Sequence, residues 1–317
     1  MPDRGPVSGA DVPAPRLVRV PAAQPTPAAD DPAVRSIRSA VATGGPHRIL
    51  GAAGTGKTTL LVTLAADAVA DGLDPHRVLL LTPTRAAAAR LRDRMAAQAA
   101  GLPATPRVQS VHGYAFSVLR RAAALTGEDP PRLLDAAEQD LILAELLAGH
   151  AAGEGRAVVW PGGFADAVGT GGFRSALLDL FAQVTARGFG PDELADAGDR
   201  WAEPAWVAAA AILEEYQQVI ALRSPGALDP VALVRRAADL LATQPRLALV
   251  ERDAVRLVLV DDYQDVDPAV ERLLSALTGP GSTLVVAGDP DAGVSAFRGG
   301  DHDLLRAFCD RFPAYGD

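Results

Sequence analysis

The sequence predicts an α/β fold in which a parallel-sheet domain is interrupted by an all-helical insertion. Three observations carry this expectation. Short apolar runs alternate with helically spaced segments near each end of the chain, the pattern of strands joined through crossover helices. A glycine-rich turn between the first strand and helix has the spacing of a phosphate-binding loop. Between about residues 127 and 250 only helical spacing is found, broken by Gly and Pro.

Composition narrows the class first. A chain of 317 residues is enough for about two domains at ~150 residues each. Its apolar fraction of 49% is that of a globular protein, which excludes a fibrous or wholly disordered chain. Apolar stretches such as Trp206 to Leu213 fall far short of the ~20 residues of a membrane span, so no membrane association is expected. The first residues, Met-Pro-Asp-Arg-Gly, lack the apolar core of a secretory signal. The single cysteine, Cys309, cannot form an internal disulfide, which fits a reducing, cytoplasmic location. A net charge of −9 argues against coating nucleic acid by bulk charge but leaves room for a local cationic groove. Lys57 is the only lysine among 30 Lys and Arg residues. In a chain so biased toward arginine, a retained lysine marks a position that needs a compact ammonium rather than a planar fork.

The elements follow in order. Residues 1–28, rich in Pro, Ala and Asp without periodicity, read as a mobile tail. Arg48-Ile49-Leu50 is a strand entering the glycine turn, and the spacing from Lys57 to about Asp71 is helical. Val78 to Leu81 is a buried parallel strand. Thr82-Pro83-Thr84 ends it, with Thr84 as N-cap of a helix running to about Ala99. Val108 to Val111 is a third strand, followed by a helix from about Gly113 to Leu125. The insertion holds helices over Ala137–Leu147, Phe173–Ala186, Trp206–Ala221 and Pro230–Leu241, with a Gly/Pro-rich break from Trp160 to Gly172 and no strand. Strand character returns at Val255 to Val260. Asp267-Pro268 opens a helix, since Pro suits the first helical position. Thr283 to Ala287 is a last strand and Asp301 to Phe312 a last helix.

The phosphate loop is Gly51-Ala52-Ala53-Gly54-Thr55-Gly56-Lys57-Thr58, followed by Thr59. Its glycines let successive backbone N–H groups turn inward toward phosphate oxygens, and the helix N-terminus adds partial positive charge. Lys57 reaches the β- and γ-phosphate oxygens, and the Thr58 hydroxyl ligates Mg²⁺. A carboxylate for the same ion is expected at the end of another strand. Leu257-Val258-Leu259-Val260-Asp261-Asp262 supplies it, with Asp261 for the metal and Asp262 to orient an attacking water. Binding of a nucleoside triphosphate with Mg²⁺ is therefore expected.

Taken with Leu81-Thr82-Pro83-Thr84-Arg85-Ala86-Ala87, Ser110-Val111-His112, Val260-Asp261-Asp262-Tyr263-Gln264-Asp265, Ala287-Gly288-Asp289-Pro290-Asp291 and Ala296-Phe297-Arg298-Gly299, the loop resembles the first motifs of UvrD/Rep-type superfamily 1 DNA helicases, in order. The resemblance runs from about residue 30 to the end. Trp160-Pro161-Gly162-Gly163-Phe164 and the stretch Thr170 to Arg174 have the flavour of AdnA-type subunits of actinobacterial helicase–nucleases. The resemblance implies a RecA-like P-loop sheet domain (1A) in two parts, 29–126 and 251–317, interrupted by a helical 1B insertion at 127–250. It also implies ATP-driven 3′ to 5′ translocation on single-stranded DNA in repair or recombination. Thr84, Arg85, His112, Phe297 and Arg298 would then lie along the DNA. A hydroxyl, arginines and an aromatic face suit phosphates and bases. Thr84 as a plain helix cap, Phe297 as core and His112 as a partner of the neighbouring strand are open alternatives.

Several positions depart from the family pattern. Asp262 stands where the family has Glu, Ala292 replaces a glutamine that senses the γ-phosphate, and Gly293-Val294-Ser295 lacks an aromatic that grips DNA. Val34 occupies the position of the adenine-reading glutamine. No second RecA-like domain is read after Arg298, so it is expected either from a partner chain or from a longer gene product of which this is a fragment, and activity alone is expected to be weak or nil. The competing expectation is a degenerate non-motor subunit that binds nucleotide and DNA and scaffolds a partner helicase. A phosphate-loop kinase has little support, since neither an acceptor site nor a lid is recognisable.

Overall fold

The computed structural model describes residues 32–98, 104–164, 166–292 and 302–313. The expected N-terminal tail, Gly293-Val294-Ser295, Phe297 and Arg298 lie outside the described residues. The described residues begin with α1 (Pro32–Ala42), β1 (Gly45–Leu50), α2 (Lys57–Ala70), β2 (Val78–Thr82), α3 (Arg85–Gln98), β3 (Arg107–Ser110) and α4 (Val111–Thr126). The middle holds β4 (Arg132–Leu133), α5 (Ala136–Ala151), α6 (Gly171–Ala186), α7 (Pro191–Trp201), α8 (Pro204–Arg223), β5 (Ala227–Leu228), α9 (Pro230–Thr243) and α10 (Pro245–Ala254). It closes with β6 (Leu257–Val260), α11 (Pro268–Leu277), β7 (Thr283–Gly288), α12 (His302–Arg306) and α13 (Phe308–Arg311).

Five strands form one sheet in the order β1-β7-β6-β2-β3, and every neighbouring pair is parallel. The apolar runs are continuous because both faces of the sheet are covered. Leu79, Leu81, Val258 and Leu284 pack with Tyr114, Val118, Leu273 and Phe308 on one face. Val78, Leu80, Leu259 and Val285 pack with Leu61, Leu64 and Leu91 on the other. That period of two is what a pleated strand imposes. A third apolar cluster joins α5, α6, α7 and α8 through Leu143, Leu177, Phe181, Leu194, Leu213 and Tyr216. Helix α9 sides with the sheet instead: Leu233, Val234, Ala237 and Leu241 belong to the cluster of α4 and α11.

Local chemistry sets the helix starts. Ser110 accepts the Gly113 N–H at the head of α4, and Asp229 accepts those of Val231 and Ala232 at α9. Asp267 accepts the Val270 N–H at α11, with Pro268 at its first position, as the sequence predicts. At α5, Asp135 and Glu138 exchange side chain-to-backbone bonds in a capping box.

The structure also adds elements. Residues 132–133 and 227–228 pair as a parallel ladder inside the stretch expected to hold no strand. Two-residue strands are too short for a hydrophobic period. Helix α7 fully buries only Leu194 and Gly198, and α10 sets Glu251 on its buried face beside Leu247 and Ala248, so their buried faces are small or partly polar. Glu251 is satisfied there by the Tyr114 hydroxyl at 3.0 Å and the Arg121 Nη2 at 2.7 Å. The last helix is broken at Ala307 into α12 and α13.

Candidate functional site

In this sheet every strand delivers its carboxyl end to one edge, and chemistry in such folds collects beyond that edge. Residues 51–58 leave β1, Asp289 and Ala292 follow β7, Asp261 and Asp262 follow β6, the 83–85 turn follows β2, and Val111 and His112 follow β3. The Gly51 N–H donates to the Gly288 carbonyl at 3.2 Å, and the Asp261 N–H donates to the Leu81 carbonyl at 2.9 Å. Strand pairing thus carries the loop and the first carboxylate to fixed places.

The loop curls through Gly54 and Gly56, at φ +81° and +88°, in the left-handed region where only glycine is unstrained. A Cβ at either would meet nothing within 4 Å, so the requirement is conformational. Gly51, Ala52 and Thr55 form its base: Thr55 Oγ1 donates to the Ala52 carbonyl at 2.8 Å. Lys57 Nζ donates to the carbonyls of Gly51 at 2.6 Å and Ala52 at 2.9 Å. Ala53, Gly54, Gly56, Lys57, Thr58 and Thr59 line a cleft of about 940 Å³ with Asp262, Gln264, Asp289 and Ala292 opposite. Ala292, standing where the resembled family has a glutamine, does face this space.

Thr58 Oγ1 donates to Asp261 Oδ2 at 2.7 Å. Asp261 is buried, and its other oxygen, Oδ1, has no hydrogen-bond partner. Burial, and secondarily the neighbouring Asp262 charge, push its carboxyl above the usual range, while the Thr58 bond opposes this. A buried carboxylate with a spare oxygen beside a hydroxyl is a donor set that a small divalent cation fits. Asp262 adopts φ +53°, uncommon for a residue with a side chain. Gln264 Nε2 approaches Asp262 Oδ1 at 3.4 Å, and Gln264 Oε1 accepts the Asp289 N–H at 3.1 Å. Gly288 makes this approach feasible, because a Cβ there would stand 2.9 Å from Gln264 Oε1 and 2.7 Å from Leu305 Cδ2.

The residues expected along DNA fall beyond β2 and β3. Thr84 Oγ1 accepts the Ala87 N–H at 3.1 Å, so it does cap α3. Arg85 is exposed at the first position of α3. His112 lies close enough to the Pro83 carbonyl and to Arg85 to feel both, so the three expected residues share one region beyond β2 and β3. Burial and the Arg85 charge lower the His112 pKa, against the attraction of Asp267. Val34 of α1 is buried in the core shared with α2 and the sheet and does not line the cleft.

Sequence reasoning quoted Gln264 and Asp289 within motifs but gave them no role, and of the α3 arginines it named Arg85 and missed Arg90 and Arg94. Arg94 lines the main cleft, and Arg90 and Arg94 line a recess of about 190 Å³ over Thr58, Asp261 and Asp262. Their signal was a helical spacing, Arg90, Arg94 and Gln98 on one side of α3. Alanine-rich surroundings and further arginines at Arg85 and Arg92 hid it. Among the described residues no cluster of three or more His, Cys, Asp or Glu could hold a metal, and no helix is long and apolar enough to cross a membrane. The arrangement is suited to holding a polyanion beside a divalent cation.

Comparison with known proteins agrees with that chemistry. Residues 34–313 match the model of the UvrD/REP helicase N-terminal domain. ATP-dependent DNA helicase UvrD1 of Mycobacterium tuberculosis is 29% identical over 275 residues, 81% of this chain and 32% of that protein. UvrD2 of the same organism is 30% identical over 304 residues, 90% of this chain and 41% of its own length. A putative ATP-dependent DNA helicase of Bacillus subtilis, YjcD, is 23% identical over 87% of the chain and 34% of its own. The chain thus spans less than half the length of these relatives.

Proposed function

Because the chain belongs to the UvrD/REP helicase family, matching its N-terminal domain, we propose that it is the ATP-binding portion of a UvrD-like, ATP-dependent DNA helicase or translocase. In this reading it acts on single-stranded DNA in repair or recombination, in the cytoplasm, with a second RecA-like domain supplied by another segment or a partner chain. The observation that carries it is the 2.7 Å bond between Thr58 of the phosphate loop and Asp261 at the end of β6. It joins a triphosphate cradle to a cation carboxylate in one cleft.

The residues divide the work. Lys57 exchanges the carbonyls of Gly51 and Ala52 for β- and γ-phosphate oxygens, and the loop N–H groups take the rest of the polyanion. Thr58 and Asp261 would hold Mg²⁺. When bound, Mg²⁺ neutralises charge that develops on the phosphates. Asp262 orients the attacking water, and its carboxylate, a methylene short of the family's Glu, does so from farther away. A misplacement of ~1 Å can cost ~10²-fold in rate, so slow turnover by the isolated chain is expected. Thr84, Arg85 and His112, with Phe297 and Arg298, form the DNA track. Residues 127–250 hold the 1B insertion, whose own apolar cluster runs from Leu134 to Ala227, while α9 and Leu247 of α10 pack with the sheet.

A second reading, a non-motor subunit that binds ATP and DNA and scaffolds a partner helicase, is favoured by Ala292, which faces the cleft with no amide to sense a γ-phosphate. Phosphate release measured with and without single-stranded DNA separates the two. Weak stimulated release that Lys57→Ala removes is expected of the motor reading. ATP binding without any release supports the scaffold, and absence of ATP binding rejects both.

A further inference from the structure

We infer that Arg94 is the side chain through which this cleft distinguishes a nucleoside triphosphate from a diphosphate. The inference rests on the nucleotide-site reading and deepens it. Arg94 lines the main cleft with Lys57 and Thr58, and also the recess over Thr58, Asp261 and Asp262. It therefore reaches the end of the cleft where the cation ligands lie, the end at which a terminal phosphate sits. That end is crowded with carboxylates: Asp261 and Asp262 face it from β6, and Asp289 from β7. A further phosphate brought there carries one or two more negative charges and needs a fixed cation in addition to Lys57. A guanidinium, with its planar fork, matches phosphate oxygens two at a time.

The position is built rather than incidental. Ala88, Leu91 and Met95 are buried and seat α3 on the sheet. Gln98 Nε2 donates to Thr63 Oγ1 at 3.0 Å, which pins the end of α3 to α2, the helix that begins at Lys57. Arg94 stands between these anchors, so its distance from the phosphate loop is set by two packed helices. It is exposed and leaves the cores untouched when replaced. Arg92 is exposed on the same helix, outside both cavities, and serves as the control.

The test is the affinity of the full chain for fluorescent Mg·ATP and Mg·ADP analogues. Arg94→Ala is expected to weaken the triphosphate about tenfold while changing the diphosphate less than about twofold, the scale of one lost charge-assisted hydrogen bond. Arg94→Lys recovers part of the ratio, and Arg92→Ala leaves it unchanged. Thermal melting of the variants alongside wild type confirms that each is folded. An unchanged ATP-to-ADP ratio in Arg94→Ala, or an equal loss for both ligands, overturns the inference while the nucleotide reading stands. Lys57→Ala losing both ligands marks that second case. Wild type binding neither ligand overturns the nucleotide reading and this inference together.

Discussion

Asp267 shows how a single carboxylate can serve one task at the expense of another. Its Oδ1 accepts the Val270 N–H and caps α11, yet burial outweighs that bond and pushes its carboxyl above the usual range. A raised folded pKa means that the ionised group opposes folding. That opposition is full above the folded pKa and vanishes below the unfolded value of about 3.9. Asp267→Asn keeps the capping oxygen without the charge. The variant is therefore expected to match or exceed wild-type stability near pH 7 by up to about 1 kcal/mol. Its advantage is expected to shrink as the pH falls through the carboxylate range. Urea unfolding of both proteins across pH measures this, and an advantage that grows on acidification would contradict the assignment. At the same scale, the closeness of Thr58 to Asp261 was legible in the sequence, because the motifs call for one residue type at one spacing. Arg94 was not, since an arginine on an arginine-rich helix carries no mark of the space it faces.

Elements are legible where burial is one-sided or complete and obscure where contact is made by small or polar groups. β2 and β6 stand out as unbroken apolar runs because both sheet faces are covered. Helix α7 escaped because its contact with α8 is made through Gly198, whose missing side chain is the contact. A Cβ there would lie 2.7 Å from Val207 Cγ2, 3.0 Å from Val207 N and 3.1 Å from the Glu203 carbonyl oxygen. Two of those three atoms are backbone and cannot swing aside. Gly198→Ala gains about 1 kcal/mol of helix propensity but is expected to lose more through overpacking, about 1–3 kcal/mol. A lowered melting temperature with unchanged nucleotide affinity is the expected result, since α7 and α8 contribute nothing to the main cleft. An unchanged melting temperature would mean that the two helices adjust more freely than their packing implies.

Across the molecule, Arg272 of α11 links the sheet to the helical region. Its Nη2 donates to the Ala186 carbonyl at 2.7 Å and its Nη1 to that of Arg187 at 3.3 Å. These carbonyls close α6, where a cation also meets the negative end of the helix dipole. Arg272→Ala is expected to cost about 1–2 kcal/mol and to speed hydrogen exchange at the end of α6, leaving β6 and β7 protected. Exchange that rises equally in the sheet would show that the two regions open as one unit. The same scale holds the short ladder of β4 and β5, which joins the two ends of the helical stretch. It also holds the membership of α9 in the sheet's core rather than in the cluster of α5 to α8.

Taken by itself, the sequence determined the α/β class, the parallel strands, the glycine-rich turn after β1 and the family, because these rest on residue type and local spacing. Strand periodicity and glycine geometry act over a few residues and are written in order along the chain. Tertiary structure alone decided which strands are neighbours, and it is this order that carries Asp261 to Thr58 across 203 positions, a pair the motifs already set at one ion. It alone turned α3's arginines toward the cleft and gave α9 to the sheet. Those outcomes depend on which apolar faces find each other when burial is maximised, and no local pattern encodes that choice.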